Sequence, residues 1–227
     1  MTAELQTDTA RPLLTTEWRG RERFAATWDY QRAVHSARRD DPEGTTDRLV
    51  FVEHQPVVTL GRSGDMANLP GGEAALAAAG IDFHRIERGG DITYHGPGQL
   101  VGYPLIHLRR RGLSLRDFMR GLEEALILAV GEYSLTGERI AGLTGVWVNG
   151  RKLAAIGVAV QGGVTFHGFA LNVAPDLRHF GYIVPCGIAD KPVGSLAQLL
   201  APAPSPSLDE VRGAVERQFR AVFGYGG

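Results

Sequence analysis

Two residues of this chain stand out for the chemistry their surroundings suit. Cys186 is the only cysteine and sits in Pro185-Cys186-Gly187. Proline fixes the backbone before the thiol, and glycine after it lets a ligand approach the main chain. That arrangement suits a nucleophile presented at a turn beside free backbone N–H groups. A lone cysteine also serves as a small buried hydrophobe, and the local sequence leaves both readings open. Lys152 follows Asn149-Gly150, the signal for a two-residue type I′ hairpin. Such a hairpin sets Trp147 opposite Lys152 and Val148 opposite Arg151. Strand alternation then puts Lys152 on one face with Ala154, Ile156, Val158 and Val160. A lysine there is either a strand-end residue with its ammonium in water, or a partly desolvated base able to ionise a nearby thiol.

The third feature is Arg88-Gly89-Gly90-Asp91-Ile92-Thr93-Tyr94-His95-Gly96-Pro97-Gly98-Gln99. It reads as a polar, glycine-rich loop that brings backbone N–H groups and side-chain donors to a ligand. It lacks the third glycine and the following helix of a dinucleotide fingerprint, and no Gly-Lys-Ser/Thr follows to make a phosphate loop. His95, His107 and His167 with Cys186 show no paired metal-ligand spacing, so no metal site is expected. Ser63 and Ser195 lie in no nucleophile-elbow motif. Arg109-Arg110-Arg111, with Arg116 and Arg120, forms a local basic cluster that reads first as a solvated face.

These groups need a scaffold. Strands are expected over Leu49–Glu53, Val57–Leu60, Ile81–Glu87, Leu100–Leu108, the Gly145–Val160 hairpin and Thr165–Val173. Helices are expected over Glu22–Arg39, Glu73–Ala79, Ser114–Val130 and Val193–Leu200. A last helix opens on the capping box Ser207–Glu210. Strands and helices do not alternate regularly, which favours an α+β fold over a doubly wound parallel sheet. Residues 1–20 read as a flexible lead-in and 21–227 as a single catalytic domain. Composition narrows the classes further. One cysteine excludes an intramolecular disulfide and a Cys-only zinc site. Lys plus Arg (24) against Asp plus Glu (25) leaves net charge −1, so no global basic field addresses nucleic acid. No apolar run approaches the roughly 20 residues of a membrane span, and the amino terminus has no signal-peptide core. A cytoplasmic protein is expected.

Read together and in order, the segments closely resemble the bacterial octanoyltransferases of lipoate biosynthesis. The resemblance rests on RGGDITYHGPGQLVGYPLIHL (Arg88–Leu108), EHQPVVTLGR (Glu53–Arg62), TGVWVNGRKLAAIGV (Thr144–Val158), TFHGFALNV (Thr165–Val173) and FGYIVPCGI (Phe180–Ile188). It covers about Leu49 to Leu200. It implies a mixed β-sheet core flanked by helices, shared with biotin and lipoate protein ligases. It implies transfer of an octanoyl or lipoyl group from acyl carrier protein to a lysine of lipoyl domains of 2-oxoacid dehydrogenases, or of glycine-cleavage H protein. The family's acyl-thioester cysteine falls on Cys186, and the lysine that lowers its pKa falls on Lys152. The acyl-binding segments fall on Arg88 to His95, on Ala155-Ile156-Gly157 and on Gly168-Phe169-Ala170. No cofactor is implied, because the group arrives on the donor's phosphopantetheine and a thioester needs no ATP. Ile156, Phe169 and Leu171 are candidates to line the acyl tunnel. The Arg109–Arg120 cluster is a candidate surface for acidic carrier proteins.

Overall fold

The computed structural model describes residues 12–184 and 192–226. Cys186, with Pro185 and Gly187, lies outside the described residues. The chain opens with strand β1 (Leu14–Glu22), which pairs in parallel with β2 (Asp47–His54). The lead-in expected over 1–20 therefore gives way to a strand at Leu14. β1 is an edge strand in which Leu14 alone is buried, so its sequence lacks the alternation that reveals strands. Helix α1 (Phe24–Asp40) joins the two.

After β3 (Val57–Leu60) come helix α2 (Gly72–Ala78) and β4 (Asp82–Arg85). A short strand β5 (Ile92–His95) follows, inside the stretch expected to be all loop. It pairs with β3 through Thr93–Thr59 and Tyr94–Val58. Strand β6 (Gln99–Leu105) leads to helix α3 (Leu115–Gly131), whose Ser114 N-cap accepts from the Asp117 N–H. Strands β7 (Glu138–Ile140), β8 (Leu143–Val148), β9 (Arg151–Gln161) and β10 (Val164–Asn172) then form a meander. Helices α4 (Leu196–Leu200) and α5 (Leu208–Phe223) end the chain, with the Ser207–Glu210 capping box formed.

The strands make a seven-stranded sheet, β1-β2-β6-β10-β9-β8-β7, and a three-stranded sheet, β4-β3-β5. Alternation assigns the faces of the large sheet. Leu49, Phe51, Leu100, Phe169 and Leu171 meet Phe118 and Leu122 of α3 and Val211, Val215 and Phe219 of α5. Val50, Val52, Val101, Tyr103, Phe166 and Ala170 face the other way, toward Trp28 and Val34 of α1. The small sheet lies on that second side. No described helix is long and apolar enough to cross a membrane.

The β8–β9 hairpin carries Lys152. Asn149 and Gly150 take φ of 50° and 72°, as a type I′ turn requires. Trp147 faces Lys152 and Val148 faces Arg151. One step on, the register shifts and Val146 faces Ala154 instead of Leu153. This bulge overturns the expected face of Lys152. Side chains alternate with period two, so one extra residue moves everything before it to the opposite face. Ala154, Ile156 and Val158 pack with α3 and α5, while Lys152 shares the other face with Ala155 and Gly157.

Candidate active site

A cavity lies between the face of the large sheet on which Ala155 and Gly157 sit and the small sheet. It offers about 80 Å³ to the centre of a water-sized sphere, several times the ~10–15 Å³ one water needs. β9 contributes Lys152, Ala155, Ile156 and Gly157, and β10 contributes His167, Gly168, Phe169, Ala170 and Asn172. Arg88, Gly89, Gly90, Asp91, Ile92, Thr93 and His95 close the opposite wall. All the described residues expected to bind substrate thus meet in one cavity, except Tyr94. Tyr94 alternates away from the cavity: its ring packs with Val58, Leu76 and Ile183, and its hydroxyl bonds to His179 Nδ1 at 2.8 Å. Leu171, a candidate for the tunnel, points into the α3–α5 core instead.

The walls can approach closely because of small residues. A Cβ on Gly157 would stand 2.9 Å from the Gly89 carbonyl oxygen and 3.0 Å from Arg88 Cδ. The Gly89 N–H donates to the Val158 carbonyl at 3.1 Å, which fastens the arginine loop across β9. Arg88 is buried and spends donors inside the protein. Its Nη2 donates to the Thr59 carbonyl at 2.7 Å and its Nη1 to the Gly89 carbonyl at 3.1 Å. It thereby ties the loop to β3.

Lys152 sits at one end of the cavity, its Nζ 5.4 Å from the centre of the Trp147 ring. The chain that follows the Cys186 segment returns to this same residue. The Lys152 N–H donates to the Pro192 carbonyl at 2.9 Å, and the Gly194 N–H donates to the Lys152 carbonyl at 3.0 Å. Asn172 is pinned to this segment too, its Nδ2 donating to the Gly194 carbonyl at 2.9 Å. Its Oδ1 is buried and has no hydrogen-bond partner among the described residues.

The histidines around the cavity are held neutral. Burial pushes His95 down to about 3 and His54, just behind it, down to about 4. The tautomers follow from the partners. His54 Nδ1 meets the Glu22 carbonyl at 3.3 Å and must donate, so Nε2 accepts from the Tyr103 hydroxyl at 2.7 Å. Gln99 Nε2 donates to the Tyr94 carbonyl, so its Oε1 accepts from His95 Nδ1 at 3.1 Å. His95 Nε2 is left in the proton-accepting form. Burial also lowers His167. Among the described residues no group of three or more His, Cys, Asp or Glu side chains is arranged to hold a metal ion.

Sequence reasoning did not single out Phe24, Ile86, Gln99, Val101, Tyr103, His167 and Asn172 as lining residues. Asn172 and His167 lie within TFHGFALNV, and period two from Ala170 would have found Asn172. Phe24 and Ile86 arrive from α1 and the β4–β5 connection, and carry no local signal. The basic cluster is remote from Lys152. His107, just before it, bridges to Val164 at the far end of β9–β10; nine residues of β9 from Gln161 back to Lys152 span about 30 Å. Arg110 pairs with Glu43, Arg111 donates to the Phe223 carbonyl, and Arg120 bonds Glu123.

Fold and cavity define a class. The lipoyl protein ligase A/B catalytic domain matches residues 23–220, and the chain belongs to that family. Within it the chain is 48% identical over 200 residues to the octanoyltransferase of Synechococcus elongatus, covering 88% of this chain and 83% of that one. It stands among the octanoyltransferases and is an acyltransferase. The fold is shared more widely. The bi-partite lipoate protein ligase of Thermoplasma acidophilum superposes with a TM-score of 0.68 at 17% identity, covering 96% of this chain and 85% of that one. The biotin protein ligase of Aquifex aeolicus gives 0.53 at 10% identity, covering 93% and 69%.

Proposed function

We propose that this chain takes an octanoyl group from acyl carrier protein onto Cys186 and passes it to a lysine of a lipoyl domain, in 2-oxoacid dehydrogenases or glycine-cleavage H protein. The observation that carries the reading is that Lys152 shares one cavity with the predicted acyl-contact segments 88–93, 155–157 and 168–170. The chemistry then follows from the groups. The Lys152 amine takes the Cys186 proton, and the thiolate attacks the carbonyl carbon of the donor thioester. The bond to the pantetheine sulfur breaks, and the Lys152 ammonium returns the proton to that sulfur. In the second half the acceptor lysine attacks the Cys186 thioester. The Cys186 sulfur leaves, and the proton shed by the acceptor amine reaches it through Lys152. Thioester to thioester to amide runs downhill, so the cycle needs neither ATP nor a resident cofactor.

The test is intact-mass analysis of the protein mixed with octanoyl carrier protein and no ATP. An octanoyl adduct on the Cys186 peptide is expected, absent in Cys186→Ala. Lys152→Met is expected to slow its formation by about 10²–10⁴-fold. Turnover without any adduct, or transfer that requires free octanoate and ATP, overturns the proposal.

A further inference from the structure

The cavity has a second end. His167 pairs with Val158, six residues along β9 from Lys152, which sets it roughly 17–20 Å away once the bulge is allowed for. Phe24, Ile86 and His167 close this end. Ile86 also lines an open depression on the outer surface, with Trp28, Arg32, Arg85 and Glu87. One layer of side chains therefore separates the cavity from solvent here.

His167 is fixed in that layer by an unusual backbone. Its φ is 60°, in the left-handed region that few side chains adopt. Its N–H donates to Gln31 Oε1 at 3.1 Å, and its ring packs 4.3 Å from that of Phe166. The side chain is 2% exposed, and Nε2 is buried without a hydrogen-bond partner among the described residues. The nearest acid, Glu87 from the outer side, stands 3.7 Å from it, beyond direct hydrogen-bond reach. A strained backbone and an unsatisfied buried nitrogen both cost stability, and in an otherwise apolar channel they set a polar boundary.

The geometry points to His167, backed by Ile86 and Glu87, as the stop that sets acyl-chain length. The inference rests on the proposed function, with the acyl carbonyl at the Lys152 end and the terminal methyl at this one. An eight-carbon chain ends on the apolar side of the wall. A longer chain must push the imidazole aside, desolvate its nitrogen further and break through toward the outer depression.

The experiment measures kcat/KM for octanoyl and dodecanoyl carrier protein with full-length wild type, His167→Asn and Ile86→Ala. Asparagine tolerates a left-handed φ and is shorter than histidine. The ratio of dodecanoyl to octanoyl kcat/KM is expected to rise at least tenfold in each variant; a ratio does not depend on the fraction folded. Displacement of a fluorescent fatty acid by free octanoate and dodecanoate gives a readout that needs no turnover and no variant. Wild type is expected to bind dodecanoate at least tenfold more weakly. Equal binding of the two acids by wild type, or an unchanged ratio in a folded variant, overturns the inference. Failure of wild type to transfer octanoate overturns the proposed function instead, and the binding ratio still decides the role of the wall.

Discussion

His54 and His95 make acid sensitivity a quantitative consequence of this fold. Burial depresses them to about 4 and about 3 from 6.5. Above pH 6.5 both are neutral in the folded and the unfolded chain, and they add no pH dependence. Below pH 6.5 the unfolded chain takes up protons that the folded chain refuses, so stability falls with pH. Each histidine then costs about 1.4 kcal/mol per pH unit until its folded value is reached. At pH 5.5 the pair removes about 3 kcal/mol, a large share of the ~5–15 kcal/mol typical of a domain. Urea unfolding at pH 7.5 and 5.5, followed by fluorescence of the three tryptophans, measures this. The double variant His54→Gln/His95→Gln should lose about 3 kcal/mol less than wild type over the same interval. Identical losses in the two proteins would refute the assignment of both rings as buried and neutral.

Other outcomes follow from single contacts. Gly157→Ala forces a methyl against the Gly89 carbonyl and Arg88; overpacking of about 1–3 kcal/mol should lift the arginine loop, and KM for the acyl donor should rise about tenfold or more. Tyr103→Phe leaves His54 Nε2 without its donor, which should cost about 1–3 kcal/mol in urea unfolding. Ser207→Ala removes the α5 capping box and should cost about 1 kcal/mol, with activity at saturating substrate unchanged at 25 °C.

Much of the scaffold was legible because local signals and tertiary demands agree. Asn149-Gly150 dictates its hairpin, Ser207 and Glu210 cap their helix, and the buried runs at Leu49 and Val57 declare themselves as strands. Three features escaped for separate physical reasons. β1 is an edge strand rich in Thr, Glu and Arg. β5 is four residues set among glycines, and its existence depends on β3 lying beside it. The β9 bulge appears in no local pattern, since Leu153 and Ala154 are both apolar and both buried. The substrate-contact segments were readable through family resemblance, whereas the far wall is assembled from Phe24, Ile86 and His167, which are distant in sequence. Tyr94 shows the limit of carrying over a whole segment: within a strand, alternate residues serve opposite faces.

The bulge makes the stretch just past the hairpin a reading frame in the literal sense. Lengthening the Asn149-Gly150 turn changes only a surface loop, and chains of this kind can vary there freely. Deleting Leu153 or Ala154 instead forces a choice: the Lys152 amine turns into the apolar core against α3 and α5, or Ile156 and Val158 turn out of it. Neither a conservative substitution nor a second-site change of side chain can undo such a slip, because the error is in count and not in kind. Length variation among related chains should therefore collect at the hairpin tip and stop abruptly at Lys152.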